Sequence, residues 1–438
     1  RAAAANPRDA AAHSNTGNVL KELGRLDEAL AHYDRAIRLN SKQADAYNNR
    51  GVTLQELGRG KEALASYGRA IALQPGYADA HNNRGVLLRD MGRADEALAS
   101  YDRAIKFNPA FAEAHNNRGN LLAQQGRTTD ALAAYDAALH LNPKYAEAQV
   151  NRAAVLREME RADAALAGYD AAIAIKPAVS GTHLGRSLAL RDLGRLDEAR
   201  AAAEHARDLA PDSAQAHGNL GNILKQMARW DAALASFDHA IALQPDLADT
   251  WNNRGVALQE LNRLPDAIAS FERAAALNPD YNDARWNLSF CRLLTGDFAK
   301  GWDGFDRRWE DRPTARARLH LAPDWNGQRL DGSLLVLNEQ GVGDEIFYSG
   351  MLNDLRPLAR KITVCVDPRL VALYRRSFEN IDVICPDDLA AAGPFDAQVY
   401  MGDLGAHLRR GPEPFAGVRP YLRADAARTQ ALRDKIGV

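Results

Sequence analysis

The chain has 438 residues, enough for about two to four ordinary domains. Its 55 Lys and Arg against 57 Asp and Glu leave a net charge of −2, which speaks against a nucleic-acid-binding protein, since those carry a basic excess. With 46% hydrophobic and 26% charged residues it is too apolar for a disordered chain, and its longest apolar runs, such as 334–337, are far too short to span a bilayer.

At the N-terminus, Arg1, Pro7, Arg8 and Asp9 interrupt any signal-peptide apolar core. Cys291, Cys365 and Cys385 form no CxxC pair. They point to a reducing, cytoplasmic setting, no structural zinc and no bound metal.

The first three quarters keep a 34-residue beat. Gly24-Arg25 recurs as Gly58-Arg59, Gly92-Arg93, Gly126-Arg127 and Gly194-Arg195, with Glu160, Ala228, Asn262 and Gly296 at the same offset. Prolines 7, 75, 109, 143, 177, 211, 245 and 279 keep the same spacing, and Ser41 is the exception. Such a period marks a solenoid. In the unit 78–111 the pattern predicts one helix over roughly 79–91, with Leu88 and Met91 on its apolar face, and a second over roughly 95–107. That second helix carries Ala97, Leu98, Tyr101, Ala104 and Ile105 at helical spacing. Gly92 supplies the left-handed turn between them, and Pro109 stops the second. Gly85 and its equivalents at 17, 51, 119, 221 and 255 let paired helices approach.

Period, small residues, second-helix aromatic and terminal proline together resemble the tetratricopeptide repeat family over residues 1–315. Residues 1–9 are the remnant of a preceding repeat and nine repeats follow. The unit 180–213 departs most, with Ala203 in the aromatic position and Arg200 and Arg207 at apolar ones.

One stripe of each first helix carries an asparagine: Asn15, Asn49, Asn83, Asn117, Asn151, Asn219, Asn253 and Asn287, with Gly185 in its place in the sixth unit. Asparagine both donates and accepts, so such a ladder can hold a polypeptide backbone whatever its side chains. It resembles the ladder that lines the groove of tetratricopeptide O-linked N-acetylglucosamine transferases and holds substrate polypeptide. A polar, solvated helix face accounts for the same residues without a ligand. His13, His81, His115, His183 and His217 also keep the beat. One per hairpin is too far apart to converge on an ion, so they read as aromatic fillers, as Tyr47 and Trp251 do at the same position. The ninth unit turns its stripe apolar at Phe290 and Leu294 and carries Trp302, Phe305 and Trp309. It is expected to dock onto the C-terminal domain.

Residues 316–332 read as a connector. Over 333–438, strands at 333–338, 361–366, 381–384 and 396–400 alternate with helices, which predicts a parallel α/β sheet of the Rossmann type. Ligands of such sheets bind at the carboxyl ends of strands, which places chemistry at Glu339, Gly341, Gly343 and Asp344. The spacing is not GxGxxG and lacks the lysine of a phosphate-binding P-loop. Asp344 also suits a plain helix cap.

The stretches 323–327, 338–346, 367–370 and 376–378 resemble bacterial tetratricopeptide proteins with a glycosyltransferase-like C-terminal region. Their first Rossmann half is similar to that of heptosyltransferases, of GT-B architecture. The resemblance implies that Asp344 is a general base, that Glu339, Gly341 and Gly343 bind substrate, and that a nucleotide-sugar is the donor, with no metal and no cofactor held by this chain itself. The nucleotide-binding second half of that architecture is not in the sequence. Arg1–Pro7 nearly repeats Arg273–Pro279, and Lys435–Val438 reads as the start of a further strand. The chain is therefore expected to be a fragment, inactive by itself. Two readings stand side by side. One is a polypeptide-binding repeat module feeding a metal-independent glycosyltransferase that modifies Ser or Thr; the other is a non-catalytic scaffold with a degenerate Rossmann domain.

Overall fold

The computed structural model describes residues 8–305, 320–339, 341–412 and 421–436. The chain forms two compact units, residues 1–223 and 224–438.

The first unit is a succession of helical hairpins: α1 (Ala10–Glu22) with α2 (Leu26–Leu39), α3 (Ala44–Glu56) with α4 (Gly60–Leu73), α5 (Ala78–Asp90) with α6 (Ala94–Phe107), α7 (Ala112–Gln124) with α8 (Thr128–Leu141), α9 (Ala146–Glu158) with α10 (Ala162–Ile175), and α11 (Ser180–Asp192) with α12 (Leu196–Leu209). The next helix, α13 (Ala214–Gln226), crosses the division between units.

Each hairpin turns at a left-handed residue. Gly24, Gly58, Gly92, Gly126 and Gly194 have φ of 72° to 74°. The following arginine N–H reaches back five residues, as from Arg25 to the Leu20 carbonyl at 2.9 Å, which closes a Schellman-type helix end. Glu160, Ala228 and Asn262 take the same conformation, with φ of 59°, 55° and 55°. The turn is therefore imposed by the stack even where glycine is missing. Arginine at the turn also pairs with an acid three residues on, as in Arg25–Glu28 and Arg93–Glu96. These pairs are half exposed, so each adds little to stability.

The core is the second-helix aromatic packed under the first helix. Tyr33, Tyr67 and Tyr101 are fully buried. A Cβ on Gly51 or Gly85 would lie 2.6 Å from the ring of Tyr67 or Tyr101. The glycine thus makes room for a ring, a more specific need than close approach of two helices. Ala97 and Ala104 are fully buried as expected, but Met91 is 40% exposed at the helix end and only Leu88 serves the core. In the departing unit Ala203 is fully buried, while Arg200 and Arg207 reach Glu204 and Asp208.

The second unit continues with α14 (Trp230–Leu243), α15 (Ala248–Glu260), α16 (Leu264–Leu277), α17 (Asn282–Leu294) and the short α18 (Phe298–Trp302). A four-stranded, wholly parallel sheet follows in the order β3-β2-β1-β4. Its strands are β1 (Leu330–Leu337), β2 (Ala359–Cys365), β3 (Asp382–Ile384) and β4 (Ala397–Tyr400). The central β1 is buried on both faces, which explains its unbroken apolar run. Leu334 and Val336 join a core with Leu352 and Tyr374, while Leu335 and Leu337 face Cys365 and Tyr400. Between the strands lie α19 (Val342–Tyr348), the 3-10 segment Ser349–Leu355, α20 (Val371–Ser377) and α21 (Leu389–Ala392); α22 (Leu404–Leu408) and α23 (Ala426–Ile436) follow β4.

The described end of the connector is structured. The Trp325 N–H donates to the Gln398 carbonyl at 2.7 Å, and the Gln398 N–H to Pro323 at 2.8 Å, so this segment runs along the free edge of β4. The ninth repeat does dock, through its second helix. Trp302 Nε1–H donates to the Arg409 carbonyl at 2.9 Å, and Arg410 pairs with Asp303. The stripe residues Phe290 and Leu294 take no part and stay 41% and 55% exposed. Trp309 lies outside the described residues. Among the described residues, no helix is long and apolar enough to cross a membrane.

Candidate functional site

Two groupings bear on function: the asparagine stripe and the loop at the carboxyl end of β1.

Asn15 is exposed and the other seven stripe asparagines are half-buried. The sequence reading missed their partners. In each Asn-Asn doublet the earlier residue turns inward: Asn48, Asn82, Asn116 and Asn252 are buried. Each accepts from the stripe asparagine of the next repeat. Asn83 Nδ2 donates to Asn48 Oδ1 at 3.1 Å, Asn117 to Asn82 at 3.0 Å, Asn151 to Asn116 at 3.1 Å, and Asn287 to Asn252 at 3.1 Å. Asn49 donates to Asn18 at 3.0 Å, and Asn253 accepts from Lys225 Nζ at 2.7 Å. The ladder therefore fastens repeat to repeat. A primary amide has two hydrogens and a carbonyl oxygen, so each such asparagine is held in one orientation by one hydrogen and keeps further capacity. The doublets were plain in the sequence. What hid them was reading only one face of the helix.

The histidines also have a structural use. His81, His115, His183 and His217 donate through Nε2 to the carbonyl of the proline six residues earlier, at 2.7–3.2 Å. Trp251 does the same through Nε1 to Pro245 at 2.9 Å. In these five units the ring ties the first helix to the turn before it, whereas His13 pairs with His32.

At the sheet, Glu339, Gly341, Gly343 and Asp344 lie together beyond the carboxyl end of β1. Residue 340 is outside the described residues. The helix cap is Gly341, with extended backbone at φ −73° and ψ 163°. Asp344 is the third residue of α19 rather than its cap, and it is exposed. Its Oδ2 lies 3.6 Å from where a Gly341 Cβ would sit. Neither glycine has positive φ, and a Cβ on Gly343 would meet nothing within 4 Å. Glu339 Oε1 accepts from the Gly402 N–H at 3.2 Å, which links the ends of β1 and β4.

The residue missed here is Glu345, only 2% exposed. Its Oε1 accepts from Asn338 Nδ2 and its Oε2 from the Asp367 N–H, both at 3.0 Å. Tyr374 donates its hydroxyl to the Glu345 carbonyl at 2.7 Å. Burial pushes the Glu345 carboxyl up from its ordinary range, against the pull of those two hydrogen bonds. It holds the ends of β1 and β2 in place behind Asp344. The signal was the second acid of Asp344-Glu345, which helical periodicity turns inward. Across the same edge, hydrogen bonds from Arg369 bring Asp367 down to about 2. Burial raises the Cys365 thiol to about 12, which keeps it protonated and unreactive.

Comparison with known proteins bears on the repeats. Family profiles described as "TPR repeat" match residues 17–58, and others described as "Tetratricopeptide repeat" match 48–115, 83–145, 116–180, 184–248 and 248–281. Together they cover more than half of the chain. A crystal structure of YrrB, described as "a TPR protein with an unusual peptide-binding site", is 30% identical; the match covers 40% of this chain and 91% of YrrB, with a TM-score of 0.33. A tetratricopeptide repeat protein from Parabacteroides merdae is 19% identical over 57% of this chain and 98% of its own, with a TM-score of 0.46. Protein FlbA of Caulobacter vibrioides is 27% identical over 166 residues. That alignment takes in 33% of this chain and 28% of FlbA, so the chain spans under a third of that curated relative. The 34-residue beat, the repeated hairpin geometry and the family profiles over more than half of its length place the chain in the tetratricopeptide-repeat family.

Proposed function

We propose that the repeats bind an extended polypeptide along the asparagine stripe and that the α/β region forms the acceptor half of a glycosyl-transfer site. One observation carries the binding half: Asn49, Asn83, Asn117, Asn151 and Asn287 of the stripe are held in fixed orientation by the preceding repeat while keeping donor and acceptor capacity. Groups whose rotamers are already set lose less freedom when a ligand engages them. The peptide-binding description of YrrB, 30% identical, is consistent with this use.

The transfer half rests on the resemblance of residues 338–346 to heptosyltransferase-like proteins, and three features support it. The sheet order β3-β2-β1-β4 is that of a nucleotide-binding parallel half-domain. Glu339 lies where the order reverses, between β1 and β4. Asp344 is exposed beside Gly343, whose missing side chain leaves open space. In the reaction, a Ser or Thr hydroxyl oxygen would attack the anomeric carbon of a nucleotide-sugar. Asp344 would take the hydroxyl proton, and the nucleoside diphosphate would leave with the electron pair of the broken bond.

The test is mass spectrometry of acceptor proteins incubated with nucleotide-sugars and the full-length protein. Sugar mass is expected, and Asp344→Asn should abolish it while leaving the fold and peptide affinity unchanged. Peptide binding without transfer by either protein would leave the scaffold reading. For the stripe, replacing Asn83, Asn117 and Asn151 by Ala should weaken peptide binding. Asn48→Ala is the control, because it removes a repeat-to-repeat bond and leaves the stripe surface intact. Equal loss in both variants would reduce the ladder to a stabilising device.

A further inference from the structure

The second unit contains a cavity of about 430 Å³ that neither the ladder nor the reactive loop explains. Phe290 and Leu294 from α17 form one wall and Phe347 and Tyr348 from α19 another, with Trp302 and Met351 behind. Phe347 is 73% exposed, a high value for an aromatic ring beside other aromatics. The lining is almost wholly apolar. Its charged member, Arg409, already pairs with Asp354, so the cavity presents no unpaired charge to a ligand.

Its position identifies the occupant. Phe290 and Leu294 lie three and seven residues after Asn287, on the same stripe of the helix. A polypeptide following the stripe of α15 and α17 past Asn253 and Asn287 therefore arrives at this cavity without leaving its track. On the other side, Phe347 and Tyr348 lie three and four residues after Asp344, on the same face of α19, about 5 Å along the axis. An extended polypeptide rises about 3.3 Å per residue, so a side chain seated here sets the backbone about two residues away beside Asp344.

We propose that this cavity takes a large apolar side chain of the acceptor polypeptide, and so selects Ser or Thr about two residues from a Phe, Tyr, Trp or Leu. The asparagines hold backbone without regard to sequence, and the cavity supplies the selectivity they lack. This rests on the polypeptide-binding reading above, and the test separates the two.

Two fluorescein-labelled peptides serve as probes, each a Gly/Ala chain with a single Ser. One has Phe two residues from the Ser and the other has Ala there. Fluorescence anisotropy with the full chain should show the Phe peptide binding about ten- to a hundredfold more tightly, as expected for burying one such side chain. Leu294→Arg, at a 55% exposed position, should remove that difference and leave the Ala peptide unaffected; Phe347→Ala should do the same. Equal affinity of the two peptides, or a preference that survives both variants, overturns the proposal. A Phe preference in a protein that transfers no sugar leaves the cavity standing and removes the transfer reading. Equal sugar transfer to both peptides removes the cavity and leaves transfer.

Discussion

The repeats and the loop at the sheet both depend on glycine, for opposite reasons. In the repeats the space over the glycine is filled: a Cβ on Gly85 would meet the Tyr101 ring at 2.6 Å. In the loop it is empty: a Cβ on Gly343 would meet nothing within 4 Å. Neither position has positive φ, so backbone freedom explains neither glycine. A filled space is a packing requirement. An empty one beside an exposed acid is a place where something else can come close.

The sharpest way to break this contrast is a pair of substitutions. Gly85→Val forces side-chain atoms into the ring of Tyr101 and should cost about 1–3 kcal/mol or more in urea denaturation. Gly343→Ala should leave stability unchanged or raise it by up to about 1 kcal/mol, since Ala is the better helix former, while lowering sugar transfer. Loss of stability in Gly343→Ala comparable to that in Gly85→Val would make the loop glycine structural and remove the argument for open space.

Within the repeats, one site tests whether filled space is a property of the position or of the ring. The fifth unit has Ala153 where the four units before it have Gly17, Gly51, Gly85 and Gly119. Its ring, Tyr169, lies instead against Gly185 of the next repeat, where a Cβ would sit 2.4 Å from it. Gly185 is also the one gap in the asparagine ladder. The two departures compensate each other: the alanine displaces the ring, and the ring displaces the asparagine. Gly185→Asn, which restores the common residue, should therefore destabilise by about 1–3 kcal/mol. Ala153→Gly gives the ring back its usual space. In the double variant much of the loss should be recovered, with a coupling of about 1 kcal/mol or more. Additive effects in the thermal-denaturation cycle would mean that the ring does not exchange between the two sites.

The same contrast explains how much the sequence disclosed. In the repeats, each side chain meets the same residue types every 34 residues, so period alone located the hairpins, turns and buried aromatics. It failed where a contact crosses from one helix face to another. Asn48 and Asn82 were passed over as companions of the stripe, and Met91 was assigned to a core it does not reach. In the sheet, strands buried on both faces show as apolar runs, which placed β1 to β4 within a few residues. Glu345 could not be read in the same way. A buried acid is recognised by its partners, and Asn338 and the Asp367 N–H come from different strand ends. The cavity beyond Asn287 was half visible, as an apolar end to a polar stripe. The sequence suggested docking there, but Trp302 docks and the stripe stays open.

The smallest expected effect concerns glycines that are absent. At the hairpin turn the left-handed conformation persists without glycine, with φ of 55° at Ala228. The Ala228 N–H still donates to Lys225 at 3.0 Å, and Arg229 to Leu224 at 2.9 Å. The capping bonds are thus intact, and the difference from Gly24 or Gly58 is the strain of a Cβ in left-handed backbone. That strain is about 1–2 kcal/mol for an ordinary residue, partly offset because glycine also gives the unfolded chain more freedom. Ala228→Gly should therefore raise stability by about 1 kcal/mol or less. Asn262→Gly should gain less still, because asparagine tolerates this region. Equal gains at the two sites would mean that the turn relaxes around whatever residue it carries. An ordered difference, with Ala228 above Asn262, would show that the stack holds the turn rigidly and that glycine there answers to backbone conformation. That is a third use of the residue, distinct from both the filled space at Gly85 and the open one at Gly343.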